Sequence, residues 1–123
     1  MDCVTREVLR LSPTRLAPAK ARHAVHEFAT AVSPKTAWTA ELLASELVTN
    51  AVVHGRGPVS VVMEYDGGAL AVTVTDEEPA SPVLADPGTG DLGGRGLRLV
   101  ELLASDWGVN PDQPGKGVWF RLD

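Results

Sequence analysis

Several kinds of residue and segment are scarce in this chain, and each scarcity excludes a class of protein. One cysteine, Cys3, cannot form an internal disulfide, and we expect it at a frayed terminus. The 11 basic residues are outnumbered by 16 acidic ones, whereas a sequence-independent nucleic-acid binder needs a basic face. No apolar run approaches the roughly 18–20 residues of a membrane helix, and the charged N-terminus is not typical of a secretory signal. We therefore expect a cytoplasmic protein with no direct nucleic-acid or membrane partner.

Glycine, by contrast, is abundant, with 12 residues in the chain. Five of them are clustered within nine positions, at Gly88, Gly90, Gly93, Gly94 and Gly96. The 123 residues match the usual domain size of about 100–150 residues. We therefore expect a single domain over residues 1–123 in which the glycine cluster has a local purpose.

Hydrophobic periodicity predicts an alternation of strands and helices with one long irregular segment. Strands are predicted over 4–11, 59–65, 70–76, 107–110 and 118–122, and helices over about 18–32, 36–54 and 97–105. Prolines and glycines make residues 79–96 irregular, which is typical of a functional lid or a disordered linker. The order predicts an α/β fold, a two-layer sandwich with a mixed, mostly antiparallel sheet and helices on one face.

Two polar residues interrupt the apolar face of the second predicted helix. Glu46 and Asn50 lie one turn apart on that face, together with Leu42, Leu43 and Val53. Polar groups within a core-facing stripe must be paired there or must face a cavity. One interpretation is a buried polar pair that caps backbone groups. The other is a site in which Glu46 is a base or metal organiser and Asn50 is a neutral oxygen ligand for Mg²⁺.

The three histidines do not predict a zinc site. His23 and His26 are three residues apart on the first helix, with no cysteine or third histidine at zinc spacing, so we expect them to be solvated. His54 lies two turns beyond Glu46, near the predicted helix end, where we expect it to interact with the helix dipole.

The glycine segment predicts a phosphate-binding loop that is neither a dinucleotide fingerprint nor a P-loop. Residues 88–93 match G-x-G-x-x-G, but the dinucleotide fingerprint must directly follow a strand, and prolines precede it here. The P-loop pattern is absent. Gly93-Gly94-Arg95-Gly96 leads into the helix predicted from Leu97, and a helix N-terminus offers free N–H groups and partial positive charge to a phosphate. A flexible linker is the competing interpretation.

Asp76 ends the predicted strand 70–76, just before the irregular segment, and two more acids, Glu77 and Glu78, follow it. A carboxylate at a sheet edge that faces a cleft can accept a hydrogen bond from an exocyclic amine such as that of adenine. The alternative is an exposed acidic turn.

Taken in order, these motifs resemble those of the GHKL (Bergerat-fold) ATPases. Residues 46–55, ELVTNAVVHG, resemble their N-box, and Asp76 stands at their G1 aspartate. Residues 94–100, GRGLRLV, resemble their second glycine box, and residues 115–118, GKGV, resemble their last glycine turn. The resemblance covers about residues 16–122. Within the family, the chain is most similar to the bacterial anti-sigma-factor serine kinases, which are small proteins made of this domain alone.

The resemblance implies roles for the matching residues. Asn50 would coordinate an Mg²⁺ ion that bridges the phosphates of ATP, Glu46 would activate the attacking hydroxyl or water, and Asp76 would bind the adenine amine. Residues 79–96 would contain the ATP lid. The residues implied at the nucleotide are Asn50, Asp76, Gly94, Arg95, Gly96, Leu97 and Gly117. The resemblance also implies a homodimer whose partners are a sigma factor and an anti-sigma antagonist phosphorylated on serine.

Two positions depart from the family pattern. Glu78 occupies the glycine position of D-x-G, and Val118 stands where threonine usually follows the last glycine. We therefore expect phosphate binding to be better preserved than base recognition. The leading hypothesis is a Mg-ATP-dependent serine kinase that regulates a partner. One alternative is a non-catalytic protein-interaction module with a degenerate nucleotide site. Another is a separate histidine-kinase ATPase module, which is less favoured because no phospho-accepting helix or membrane segment precedes the domain.

Overall fold

The structure is a computed structural model that describes residues 4–78, 92–111 and 115–123. Cys3 and residues 79–91 of the predicted lid lie outside the described residues. The elements in chain order are β1 Thr5–Leu11, α1 Ala17–Phe28, a short 3₁₀ turn Ala29–Ala31, α2 Pro34–His54, β2 Val59–Tyr65, β3 Leu70–Asp76, α3 Leu92–Leu103, β4 Asp106–Asn110 and β5 Lys116–Leu122. This order agrees with the predicted one.

The five strands form one sheet in the order β1-β2-β3-β5-β4. Each neighbouring pair in the described sheet is antiparallel, so the mixed sheet that we predicted contains no parallel pair. The reason is the position of β5. The connection from β3 through α3 to β4 returns β4 in the direction of β3, but β5 lies between them and pairs with both.

The helices cover one face of this sheet, which confirms the two-layer α/β sandwich. Alternate strand residues point toward the helices, as the twofold period of a strand requires. The buried hydrophobic strand residues are Leu11, Val59, Val61, Met63, Leu70, Val72, Val74, Val118, Phe120 and Leu122. α2 packs against both α1 and α3 and against β3, so it is the central element of the helical layer. In the described part of the chain, no helix combines the length and apolarity needed to cross a membrane.

The boundaries of α2 follow from its capping residues. Ser33 is extended, and its Oγ accepts a hydrogen bond from the N–H of Thr36 at 3.2 Å. Ser33 is therefore the N-cap of α2. The helix begins at Pro34, slightly earlier than predicted, because proline in the first turn loses no helical hydrogen bond.

The antiparallel strands β2 and β3 are joined by a turn at Asp66-Gly67-Gly68. Gly67 has φ +92°, a left-handed conformation that glycine adopts without steric cost. The Asp66 carboxylate accepts the N–H groups of Ala69 at 2.7 Å and Gly68 at 2.8 Å. These two hydrogen bonds hold the pKa of Asp66 below its ordinary value.

α3 begins at Leu92, five residues earlier than the predicted start at Leu97. Gly93, Gly94 and Gly96 therefore lie inside the helix, where each glycine costs about 1 kcal/mol relative to alanine. That cost is why the sequence pattern places the start later. Packing of α3 on α2 stabilises the helix in spite of it, and the last five residues of the predicted lid are helical.

One ion pair on the surface joins α1 to α2. His26 Nδ1 lies 2.9 Å from Glu41 Oε2. The hydrogen bond to Glu41, and then its negative charge, raise the pKa of His26 above 6.5. A pKa raised by folding means that the pair contributes its full stabilisation below the unfolded value. That contribution is lost as the pH rises through the folded value.

We therefore expect the free energy of unfolding to include a component that declines as the pH rises through the raised pKa of His26. Urea unfolding between about pH 5 and pH 9 measures it. His26→Gln should remove this component. His23→Gln is the matched control, since His23 approaches its partner Glu27 only to 3.8 Å on the open surface. Identical pH profiles for wild type and His26→Gln would contradict the assignment.

Candidate functional site

The C-terminal half of α2 presents the two polar residues singled out in the sequence. Glu46 and Asn50 are both half-buried, between the fully buried Leu43 and Ala51 on neighbouring turns. Val53, predicted on the same face, is 57% exposed because it belongs to the last turn, where α2 leaves the core. The side of α2 that holds Glu46 and Asn50 therefore faces the core only up to the last turn of the helix.

Asn50 meets α3 through a glycine. A Cβ built on Gly96 would lie 2.7 Å from Asn50 Nδ2 and 3.4 Å from Oδ1, so any side chain at this position would displace the carboxamide. The Oδ1 atom of Asn50 is itself buried. The fold thus brings together two residues that are 46 positions apart in the sequence, one from the helix resembling the N-box and one from the glycine box.

Because α3 starts earlier than predicted, the N–H groups of its first turn belong to earlier residues than expected. The first four N–H groups of a helix have no partner within it, and here they belong to residues 92–95, which include Gly94 and Arg95. Gly96 and Leu97 lie one turn inside, and Leu97 packs into the core at 3% exposure. Phosphate binding by this segment stays a prediction, with its donors moved toward Gly94 and Arg95.

Asp76, at the end of β3, is buried at 6% exposure, unlike the exposed acidic turn that was the alternative. Lys116 Nζ lies 3.1 Å from both Oδ1 and Oδ2 of its carboxylate. The N–H of Glu78 donates to Oδ1 at 2.7 Å, an Asx-type turn that bends the chain after the strand. Gly115 packs directly on the carbonyl of Asp76, where a Cβ would collide.

The end of α2 reaches the same aspartate. A Cβ built on Gly55 would lie 2.7 Å from Asp76 Cγ and 2.8 Å from Oδ2. One residue later, the carbonyl of Arg56 accepts the N–H of Glu77 at 2.8 Å. Asn50 and Gly55 are separated by about 7.5 Å of helix at 1.5 Å per residue. Asn50 and Asp76 therefore belong to one region arranged around the last turns of α2.

The two departures from the family pattern occupy different environments. Glu78 Oε2 lies 3.4 Å from Arg56 Nη2, so its carboxylate is directed toward the arginine that follows α2. Val118 is buried and pairs with Val74 across the sheet, where it contributes to the core. Gly117 pairs with Thr75 and lies on the opposite side of β5 from Lys116.

Sequence reasoning missed Lys116 as a partner of Asp76. A lysine at the head of an inward-facing alternation, Lys116-Val118-Phe120-Leu122, was the available signal. The register that places Lys116 directly opposite Asp76 could not be read from the chain, because it requires β5 to pair with β3. Gly55 was visible only as the last residue of the motif at 46–55, and Arg56 lay outside every motif.

The three histidines are exposed on the helices. His54 is exposed in the last turn of α2, where we predicted it, while His23 and His26 contact Glu27 and Glu41. Among the described residues, no group of three or more histidine, cysteine, aspartate or glutamate side chains is placed to hold a metal ion.

The open antiparallel sheet with helices on one face agrees with the fold that the GHKL resemblance implies. The family model of the histidine kinase-like ATPase domain matches residues 9–122, and the chain belongs to this family. This confirms the resemblance drawn from the motifs. A comparison with curated proteins finds no significant match.

Two solved structures share the fold. The RsbU and RsbW domains of Rv1364c from Mycobacterium tuberculosis superpose with a TM-score of 0.74 and 20% identity, over 96% of this chain and 32% of that one. The blue-light activated histidine kinase EL346 of Erythrobacter litoralis gives a TM-score of 0.56 and 27% identity, over 85% of this chain and 39% of that one. This chain thus spans less than two fifths of either protein.

Proposed function

We propose that this protein binds Mg-ATP and transfers the γ-phosphoryl group to a serine of a partner protein, as a regulator of the anti-sigma kinase type. The observation that carries the proposal is the contact of Asn50 with Gly96. It brings the polar face of α2 to α3 one turn after the N-terminus of that helix, and a helix N-terminus can bind phosphate oxygens.

The chemistry assigns one task to each group. Glu46 accepts the proton of the serine hydroxyl as its oxygen attacks the γ-phosphorus and ADP leaves. The N–H groups of residues 92–95, with the Arg95 charge, hold phosphate oxygens. Asp76 accepts a hydrogen bond from the base.

The residues present also fit Mg²⁺. Amide and carboxylate oxygens are the ligands this ion prefers, and it often takes only one or two from protein. Asn50 Oδ1 would hold it, and Gly96 leaves the carboxamide the space it needs. A bound Mg²⁺ ion would supply positive charge to offset the negative charge of the phosphates.

The proposed partners are a sigma factor and the antagonist that receives the phosphoryl group, with a homodimer acting in the cytoplasm. The fold shared with the RsbW domain supports this assignment. The proposal for partners is independent of the proposal for ATP, since a degenerate site could still bind both proteins.

Isothermal titration calorimetry with Mg-ATP tests the nucleotide site. We expect wild-type binding with a Kd below about 1 mM, and Asn50→Ala to weaken it about tenfold or more. Thr49→Ala is the matched control, because the Thr49 hydroxyl donates to the Ser45 carbonyl within α2, at 2.8 Å. Binding unchanged by Asn50→Ala would contradict the role of Asn50.

A second candidate function is a non-catalytic module that binds the same partners. The observation in its favour is the base end of the site, where Lys116 already neutralises Asp76 and Glu78 replaces a glycine. Absence of any heat of binding at about millimolar Mg-ATP would support this candidate over the kinase.

A further inference from the structure

The base end of the proposed nucleotide site contains a second buried charge beside Asp76, the ammonium group of Lys116. Asp76 and Lys116 stand opposite each other in the β3–β5 register, on the face covered by helices. Their side chains are 6% and 11% exposed. Because charges are rarely buried without a partner, the pair is an integral part of this end of the fold.

The ammonium of Lys116 has three hydrogens and three acceptors in the structure. Both oxygens of Asp76 lie at 3.1 Å, and the carbonyl of Glu78 lies at 3.4 Å. The contact with Glu78 is the longest and therefore the weakest of the three. That hydrogen is the one that can be redirected to a ligand while Asp76 stays paired.

A lone carboxylate and a carboxylate beside an ammonium select different purines. A carboxylate only accepts hydrogen bonds, so it favours a 6-amino group and repels the oxygen of a 6-oxo purine. An adjacent ammonium donates, so it can bind the N1 acceptor of a 6-amino purine or the oxygen of a 6-oxo purine. In the second case the purine N1–H donates to the carboxylate.

We propose that Lys116 sets the base selectivity of this site, by forming with Asp76 a donor–acceptor pair that admits 6-oxo as well as 6-amino purine nucleotides. The inference rests on the proposed function, because it concerns the base end of the same nucleotide site. It makes this chain a purine nucleoside triphosphate binder with little preference between adenine and hypoxanthine.

The structure supports the assignment through what surrounds the pair. Gly115 lies against the backbone carbonyl of Asp76, and Gly55 lies against the carboxylate itself. Its Oδ1 also holds the N–H of Glu78. Selectivity between bases is therefore set by Lys116, the partner of the carboxylate, and not by movement of the carboxylate itself.

Binding of Mg-ATP and Mg-ITP to the full chain tests the proposal, since the two bases differ only at C6 and N1. We expect the wild-type Kd values to agree within about threefold, and Lys116→Met to favour ATP by about tenfold or more, because a desolvated carbonyl oxygen would then face Asp76 without a donor. Lys116→Arg keeps the cation and should keep the wild-type ratio. Thermal unfolding checks that each variant is folded.

The outcomes separate this inference from the proposed function. A wild type that prefers ATP by more than about tenfold overturns the inference, even if Lys116→Met does not fold. An ATP:ITP ratio that is unchanged in folded Lys116→Met overturns it as well, while Asn50-dependent binding of both nucleotides leaves the proposed function intact. If neither nucleotide binds to wild type, the proposed function fails and the inference fails with it.

Discussion

Phosphoryl transfer by Glu46→Gln is expected to fall by about 100- to 10,000-fold, the range that a positioned general base contributes. Glutamine retains the size and hydrogen-bonding reach of the side chain but cannot take up the proton of the attacking serine. Binding of Mg-ATP should change little, because the groups proposed to hold the phosphates and the base are untouched. The expected loss therefore lies in the rate of phosphoryl transfer and not in the binding of Mg-ATP.

Transfer of labelled phosphate to a co-purified antagonist measures this directly, with calorimetry as the parallel measurement of binding. Glu41→Gln is the matched control. It makes the same chemical change on the same helix, but Glu41 contacts His26 of α1 and not the proposed site. Equal transfer by wild type and Glu46→Gln would remove Glu46 from the mechanism, whatever the binding data show.

Lys116→Ala is expected to lower the free energy of unfolding by about 3–5 kcal/mol, the usual consequence of removing one partner of a buried ion pair. The variant leaves the carboxylate of Asp76 buried with the N–H of Glu78 but without a counter-charge. Its cost is the desolvation of that uncompensated charge. Chemical denaturation at neutral pH measures the change.

The matched control is Arg121→Ala, which breaks an ion pair with Asp123 whose side chains are 50% and 56% exposed. It should change stability by at most about 1 kcal/mol. The double variant Asp76→Ala with Lys116→Ala removes both charges and should be less destabilised than the two single changes predict together. Strict additivity would show that the two residues do not interact.

Much of the fold follows from patterns that act locally. The alternation in β2 and β3 and the turn at Asp66-Gly67-Gly68 determine a hairpin without help from the rest of the chain. Ser33 and Pro34 likewise determine the start of α2. Each of these features was predictable because its cause lies within a few residues.

The differences arise where distant segments decide the outcome. α3 begins at Leu92 because packing against α2 stabilises glycines that local propensity disfavours. The same packing explains Gly96, whose lack of a side chain is required by Asn50 and not by a phosphate loop alone. The partnership of Asp76 with Lys116 needs the β3–β5 register, which no local pattern contains.

The insertion of β5 between β3 and β4 also has a consequence for how the molecule is made. During synthesis β4 leaves the ribosome before β5, but the strand that β4 pairs with in the sheet is β5. The hairpin β2–β3 can form early, whereas the far side of the sheet must wait for residues 116–122 and their long-range pairing with β3. Because Lys116 belongs to that strand, the base end of the site is assembled last. A nascent chain would therefore complete the proposed nucleotide site only when β5 has paired with β3.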